Sequence, residues 1–308
     1  TLSLENIWRT VGDEVHIAEA NLSLERGTLN TLLGPTLSGK TSLMRLMAGL
    51  DKPTKGRISF DGIDVTGVRV QDRNVAMVYQ QFINYPALTV YENIASPLRI
   101  ARAPADEIDR KVREAAAMMK LEPMLDRTPL ELSGGQQQRT ALARAMVKGA
   151  DLVLLDEPLA NLDYKLREEL REELPRVFAE TGAIFVYATT EPTEALLLGG
   201  NTATLHEGRI TQFGSTIDIY RNPSDLLTAD VFSDPPINTL PVSIKGGVVS
   251  HGEKFSAPTS GVLSQVGDGD YTLGFRPNHL HIDSDPSMIS FKTKVAVTEI
   301  TGSESFVM

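Results

Sequence analysis

Three short stretches of this chain are rich in apolar residues: 29–33, where only Asn30 and Thr31 are polar, 152–155 and 183–188. Runs of that length with no polar alternation suit strands buried on both faces, as in a parallel sheet covered by helices. Between them, apolar residues recur at helical spacing. The segment 42–49 ends at a glycine, and 105–121 carries Ile108, Val112, Ala115 and Met119. The segment 163–181 carries Leu166, Leu170, Leu174 and Phe178, with Pro175 expected to kink or shorten that helix. The mixed charges on these two long helices read as solvated faces. Strands alternating with helices predict an α/β fold with a mainly parallel core sheet. After about residue 236 the texture changes. Short β-like runs at 242–244, 247–250, 271–275 and 290–297 are separated by Gly, Asp and Ser turns, which predicts a small β-barrel.

At 308 residues the chain is long enough for about two domains. The break falls near 232–236, where Asp234-Pro235-Pro236-Ile237-Asn238 reads as a linker, giving units 1–233 and 236–308. There is no cysteine, hence no disulfide framework. No apolar stretch reaches the roughly 18 residues that span a bilayer, so membrane association is expected to come through protein partners. The net charge of −10 argues against a general nucleic-acid binder.

The first apolar strand runs into Gly34-Pro35-Thr36-Leu37-Ser38-Gly39-Lys40-Thr41-Ser42, which fits G-x-x-x-x-G-K-[ST] between a strand and a helix. Glycines there let backbone N–H groups approach phosphates, and the helix N-terminus favours anions. Lys40 is placed to neutralise β- and γ-phosphate charge, and Thr41 to ligate Mg²⁺. The second strand ends in Asp156-Glu157, at the carboxyl edge where α/β sheets hold ligands. Asp156 is the expected Mg²⁺ ligand, direct or through water, and Glu157 the residue that orients and polarises the attacking water. Between these motifs, Leu132-Ser133-Gly134-Gly135-Gln136 opens an Ala-rich helix, a second anion-binding N-terminus. Two such ends could bind two nucleotides, or one could be offered to a nucleotide held by a neighbouring subunit.

In this order the motifs resemble the ATP-binding subunits of ABC transporters, a branch of the P-loop NTPases. The resemblance implies a head-to-tail dimer in which each ATP lies between one subunit's phosphate loop and the other's Ser133–Gln136 run. Met77-Val78-Tyr79-Gln80 is similar to the family's glutamine loop, which implies Gln80 near Mg²⁺ and the attacking water. Leu159-Ala160-Asn161-Leu162-Asp163 looks like the loop coupling the two sites. The stretch 84–94, NYPALTVYENI, resembles carbohydrate and polyol importers of the maltose-importer type, and implies a helical subdomain over about 84–145. Gly274-Phe275-Arg276-Pro277-Asn278-His279-Leu280 resembles a run in their OB-like regulatory domain. That domain continues further in the family, so a barrel cut short at Met308 is expected. The implied partners are a second ATPase subunit, two membrane permease subunits and, indirectly, an extracytoplasmic solute-binding protein. The implied location is peripheral, on the cytoplasmic face of the plasma membrane.

Three positions depart from the family pattern. Thr190, in Ala188-Thr189-Thr190-Glu191-Pro192-Thr193-Glu194-Ala195, stands where the family has a switch histidine. A threonine hydroxyl is shorter and carries no positive charge. Val11 stands where an aromatic stacks on adenine; Trp8, three residues earlier, is expected to be buried against the sheet instead. Leu37 replaces a customary glycine. These changes weaken one composite site and leave Ser133–Gln136 intact, as in a heterodimer of unlike ATPases. The stretches LLGPTLSGKTSLMRLMAGL and VYATTEPTEALLLGG resemble bacterial glycerol importers with two different ATPase subunits. The rival readings are a non-catalytic regulatory subunit, opposed by Glu157, and a soluble ABC ATPase unlinked to transport, opposed by the C-terminal domain.

Overall fold

The computed structural model describes residues 1–81, 83–160, 162–281, 288, 290, 294, 298–300 and 305–307. Asn161, most of the run 290–297, and the side chains of Leu166 and Phe178 lie outside that description. The chain divides into two units, Thr1–Asp234 and Pro235–Met308. None of the described helices is long and apolar enough to cross a membrane.

Unit 1 opens with β1 (Leu2–Val11) and β2 (Glu14–Leu24), an antiparallel hairpin, followed by β3 (Leu29–Leu33) and α1 (Lys40–Ala48). Next come β4 (Lys55–Phe60), β5 (Ile63–Asp64) and β6 (Val75–Val78). Three helices follow: α2 (Val90–Ile100), α3 (Ala105–Met118) and α4 (Gly134–Val147). The remainder is β7 (Leu152–Asp156), α5 (Tyr164–Thr181), β8 (Ile184–Thr189), α6 (Pro192–Leu198), β9 (Asn201–His206) and β10 (Arg209–Ser215), before two short helices. The strands form a four-stranded antiparallel sheet, order β2-β1-β4-β5, and a six-stranded sheet, order β10-β9-β3-β8-β7-β6. In the latter only β10 runs antiparallel to its neighbour.

The alternation of β7 and β8 shows why their sequences are apolar throughout. Leu152, Leu154, Ile184 and Val186 pack on one face with Leu43, Met44 and Met47 of α1 and with Leu4 and Ile58 of the antiparallel sheet. Val153, Leu155, Phe185 and Tyr187 pack on the other face with Val112, Leu142, Leu170 and Leu174 of the helices. Side chains alternate with period two, so a strand covered on both faces needs hydrophobes at every position. Each buried Leu or Ile contributes about 1.5–3 kcal/mol relative to exposure.

Two helical expectations are corrected. Pro175 does not shorten α5, which runs without a break to Thr181. Burial of Leu170 and Leu174 on its inner face outweighs the lost backbone bond. The charges of α5 are not all solvated: Arg171 is buried and paired with buried Glu194.

In unit 2, β11 (Asn238–Lys245), β12 (Val248–His251), β13 (Phe255–Pro258) and β14 (Gly269–Phe275) pair antiparallel in the order β13-β12-β11-β14. Val242, Ile244 and Val249 form its small core. Among the described residues no pairing joins β13 to β14. A separate two-stranded ladder joins 298–300 to 305–307.

Candidate active site

Four neighbouring parallel strands, β3, β8, β7 and β6, end on the same edge of the six-stranded sheet. The register sets Leu33 opposite Thr189, Asp156 opposite Ala188 and Val78 opposite Leu155. The phosphate loop, Thr190, Glu157 and Gln80 therefore leave adjacent strand ends, although they are far apart in the chain.

The loop after β3 is tightly constrained. Any Cβ on Gly34 would meet Leu205 O at 2.4 Å and Ser38 Oγ at 2.6 Å. Gly39 has φ 103°, and a Cβ there would press on Ile17 and His16 of β2. Pro35 accepts from the Ser38 N–H at 3.1 Å, while Thr36 continues the turn. Leu37 has φ +68° and is 95% exposed, so its side chain projects outward from a left-handed backbone that favours glycine.

Lys40 is only 5% exposed, and its Nζ donates to Gly34 O at 2.7 Å and Pro35 O at 3.0 Å. Burial lowers its proton affinity, opposed by the nearby charges of Glu157 and Asp156. Thr41 Oγ1 donates to Asp156 Oδ2 at 2.8 Å, and Gln80 Nε2 donates to Glu157 Oε2 at 2.9 Å. Burial raises the pKa of both carboxyls; Asp156 is 3% exposed. Ser42 follows on the first turn of α1 and is half-buried.

The arrangement fits a nucleotide triphosphate with Mg²⁺. Ser38 Oγ is buried without a hydrogen-bond partner among the described residues, a donor left over inside the phosphate loop. Thr41, Asp156 and Gln80 offer hydroxyl, carboxylate and carboxamide oxygens, the hard donors Mg²⁺ takes. Asp156 lies within charge range of Lys40, whose hydrogen bonds among the described residues go to its own loop.

Ser133 and Gln136 form a reciprocal capping box at the start of α4: Ser133 N donates to Gln136 Oε1 at 2.9 Å, and Gln136 N donates to Ser133 Oγ at 3.3 Å. Ser133 and Gly134 are exposed and Gly135 is half-buried. No hydrogen bond among the described residues joins this run to Lys40, Thr41 or Asp156. One copy of the chain brings Thr41 to Asp156 and Gln80 to Glu157 beside the phosphate loop.

Val11, 47% exposed, ends β1 at the hairpin turn. Trp8 is half-buried; its Nε1 donates to Asn6 Oδ1 at 3.0 Å, and the Lys55 ammonium sits 5.8 Å from its ring centre. Thr190 is exposed and lines a cavity of about 20 Å³ with Glu157, Arg167 and Glu191. His279 lies in a 3₁₀ turn, Pro277–His279.

Sequence reasoning missed what stands behind Thr190. Glu194 Oε1 accepts from Tyr187 Oη at 2.8 Å and Arg171 Nε at 3.3 Å, and its other oxygen accepts from Thr189 Oγ1. It also missed buried Gln138, whose Nε2 donates to Glu157 O at 3.5 Å. The i, i+4 spacing of Arg167 and Arg171 was the available signal, since it sets both on one helix face.

Residues 17–160 match the ABC transporter family model. The chain is 38% identical to the xylose/arabinose import ATP-binding protein XacK of Haloferax volcanii, over 96% of this chain and 78% of that protein. It is 36% identical to the sn-glycerol-3-phosphate import ATP-binding protein UgpC of Ruegeria pomeroyi, over 99% and 85%. A dimeric ATP-binding cassette solved in a post-hydrolysis state with ADP and Pi superposes with a TM-score of 0.63 at 29% identity, over 70% of this chain and 99% of that one. With the phosphate loop and the two carboxylates gathered at one sheet edge, and relatives aligned over nearly its whole length, the chain belongs to the ABC transporter import ATP-binding proteins and is an ATPase.

Proposed function

We propose that this chain drives the import of a carbohydrate or polyol, glycerol or a close derivative among the choices, by hydrolysing ATP at a site completed by a second ATPase subunit. The observation that carries this reading is the pairing of Thr41 with Asp156 and of Gln80 with Glu157 at one sheet edge, while among the described residues no hydrogen bond ties Ser133–Gln136 to these groups. Names of relatives that import pentoses and sn-glycerol-3-phosphate support the substrate class. Such a subunit sits peripherally on the cytoplasmic face, bound to two permease subunits that receive substrate from a solute-binding protein. Unit 2 is read as its OB-like regulatory domain, supported by the run 274–280.

Lys40 and the loop N–H groups hold the β- and γ-phosphates. Thr41, Asp156 and Gln80 would hold Mg²⁺, which neutralises phosphate oxygens when bound. Glu157, aimed by Gln80, orients the attacking water and takes its proton; burial strengthens its basicity. Thr190 gives this site a weaker anchor than a histidine. Losing one transition-state donor costs ~10²–10³ in rate. Val11 removes a base stack worth about 1–3 kcal/mol. Both changes affect the site built on this chain's Lys40 and spare the site to which it lends Ser133, Gly134, Gly135 and Gln136. The second ATPase subunit is therefore read as a different chain, whose phosphate loop carries most turnover.

In the reconstituted importer, Gly135→Asp is expected to abolish ATP hydrolysis and Glu157→Gln to leave much of it. Loss with both substitutions would mean equivalent sites and overturn the asymmetric reading. Loss with Glu157→Gln alone would make Thr190 a working substitute for the histidine.

A further inference from the structure

We propose that Thr189 is a positioning residue for hydrolysis: its hydroxyl, aimed by buried Glu194, fixes the turn that carries Thr190 at the nucleotide edge. The inference rests on the reading of Thr190 given above, as an anchor, though a weak one, at the Lys40 site. Thr189 is the last residue of β8, and its backbone already belongs to that edge. It lies opposite Leu33 in the register, and its carbonyl accepts from the Gly34 N–H at 3.4 Å, at the start of the phosphate loop. One residue earlier, Ala188 O accepts from the Glu157 N–H at 3.0 Å. The strand end that leads into Thr190 is thus tied to the phosphate loop on one side and to the backbone of Glu157 on the other.

Past the strand end, side chains take over. Thr189 Oγ1 accepts from the Glu191 N–H at 3.0 Å, which closes a turn with Thr190 as its middle residue. The same hydroxyl donates to Glu194 Oε2. A threonine hydroxyl has one proton and two lone pairs. With the proton committed to Glu194, a lone pair is left to face the Glu191 N–H. Thr189 and Glu194 are 2% and 5% exposed, so solvent does not compete for either bond.

Glu194 is itself held in direction. Its Oε1 accepts from Tyr187 Oη at 2.8 Å and from Arg171 Nε at 3.3 Å, which leaves Oε2 for Thr189. Arg171 Nη2 also donates to Glu191 Oε2 at 2.8 Å, so one guanidinium of α5 grips residues on the far side of Thr190 as well. The three side chains bonded to Glu194 all act as donors, an arrangement that a carboxylate satisfies and a carboxamide does not. A glutamine of the same shape would set its own N–H against Thr189 and turn the hydroxyl proton away. A buried ion pair adds little stability over apolar residues of like size. Here the pair sets the direction of a hydroxyl.

The test reads turnover at this chain's own Lys40 site, as the rate at which vanadate traps labelled nucleotide on this chain in the assembled importer. Thr189→Val keeps the shape and removes the hydroxyl. It is expected to slow trapping about tenfold, with half-saturating ATP changed less than about twofold, the pattern of an interaction realised only in the transition state. Thr189→Ser keeps the hydroxyl and should return to within about threefold of wild type. Glu194→Gln should slow trapping about threefold or more with Thr189 intact. Thr190→Ala should slow trapping too, and in that background Thr189→Val should cost less than about twofold further, because a residue that acts through Thr190 has nothing left to position.

An equal loss with and without Thr190 would make the Thr189 bonds structural only and overturn the inference. So would Thr189→Val or Glu194→Gln at the wild-type rate, or Thr189→Ser as slow as Thr189→Val. Should Thr189→Val fail to fold, Glu194→Gln with and without Thr190→Ala decides in its place. Thr190→Ala as fast as wild type would instead sink the Thr190 reading, and the inference with it, an outcome distinct from the others because it does not involve Thr189.

Discussion

Two residues at the nucleotide edge hold a backbone shape that suits glycine. Leu37 has φ +68° and Glu157 φ +46°. For Glu157 the left-handed turn leaves the buried strand at Asp156 and brings the carboxylate to Gln80; Glu157 N–H donating to Ala188 O at 3.0 Å holds it. Strain there serves the site. For Leu37 nothing in the structure offsets the strain, since the side chain is exposed. A left-handed residue other than glycine costs roughly 1–2 kcal/mol, partly cancelled by the unfolded-chain entropy that glycine adds. Leu37→Gly is therefore expected to be stable to within about 1 kcal/mol of wild type, on the stabilised side, and Leu37→Val to lose about 1 kcal/mol because a β-branched residue tolerates this region least. Urea midpoints at constant m-value check the order, and a valine variant as stable as the glycine one would refute it.

At the scale of elements, α5 shows packing overruling local preference. Its 18 residues continue through Pro175, which cannot bond to the carbonyl of Arg171. Leu170 and Leu174 are buried against the helical side of the core, and Arg171 anchors the same face to Glu194 and Glu191. Pro175→Ala restores the missing donor, so it is expected to raise stability by about 1–3 kcal/mol, read from the denaturation midpoint. A helix bent to suit the proline would show no gain. The start of the helical subdomain was, by contrast, legible locally. Thr89 and Glu92 form a reciprocal capping box that opens α2, and buried Asn93 donates to Tyr85, Leu88 and Thr89 carbonyls. The aromatic Tyr85 stacks under Arg144 of α4, 5.0 Å from its guanidinium.

At the scale of the whole molecule, unit 1 depends on joining two sheets of different kind. Besides the shared core around α1, Arg26 makes a polar link. Its guanidinium donates to Asp61, in the turn between β4 and β5, and to Asp151, which leads into β7. Hydrogen bonding to Arg26 is the largest cause that holds Asp61 down at about 2, and it also lowers Asp151. A carboxyl whose folded pKa lies below its unfolded value of 3.8 contributes stability that is fully present above about pH 4 and is lost as pH falls toward 2. The groups are substantially exposed, so the effect is modest and screened by salt. Arg26→Gln is expected to lower Tm at pH 6 and to lose that difference progressively between about pH 4 and 2. A Tm difference independent of pH would rule out the ionic link.

Local chemistry in the chain determined a good deal by itself. The apolar runs, the glycines of the phosphate loop, Lys40 and Thr41, the Asp156-Glu157 strand end and the Ser133–Gln136 cap are each fixed by neighbours within a few residues, because turn conformation and helix capping are short-range effects. Their order along the chain was enough to place them in an ABC ATPase. Tertiary structure decided what depends on residues distant in sequence. It brought Gln80 to Glu157 and Thr41 to Asp156 across a parallel sheet, whose neighbouring strands are set by crossover topology rather than by adjacency. It turned Arg171 inward and carried α5 past Pro175. It also tied Arg167 to Glu191, since that bond joins an α5 side chain to the turn after β8 and no local pattern encodes it.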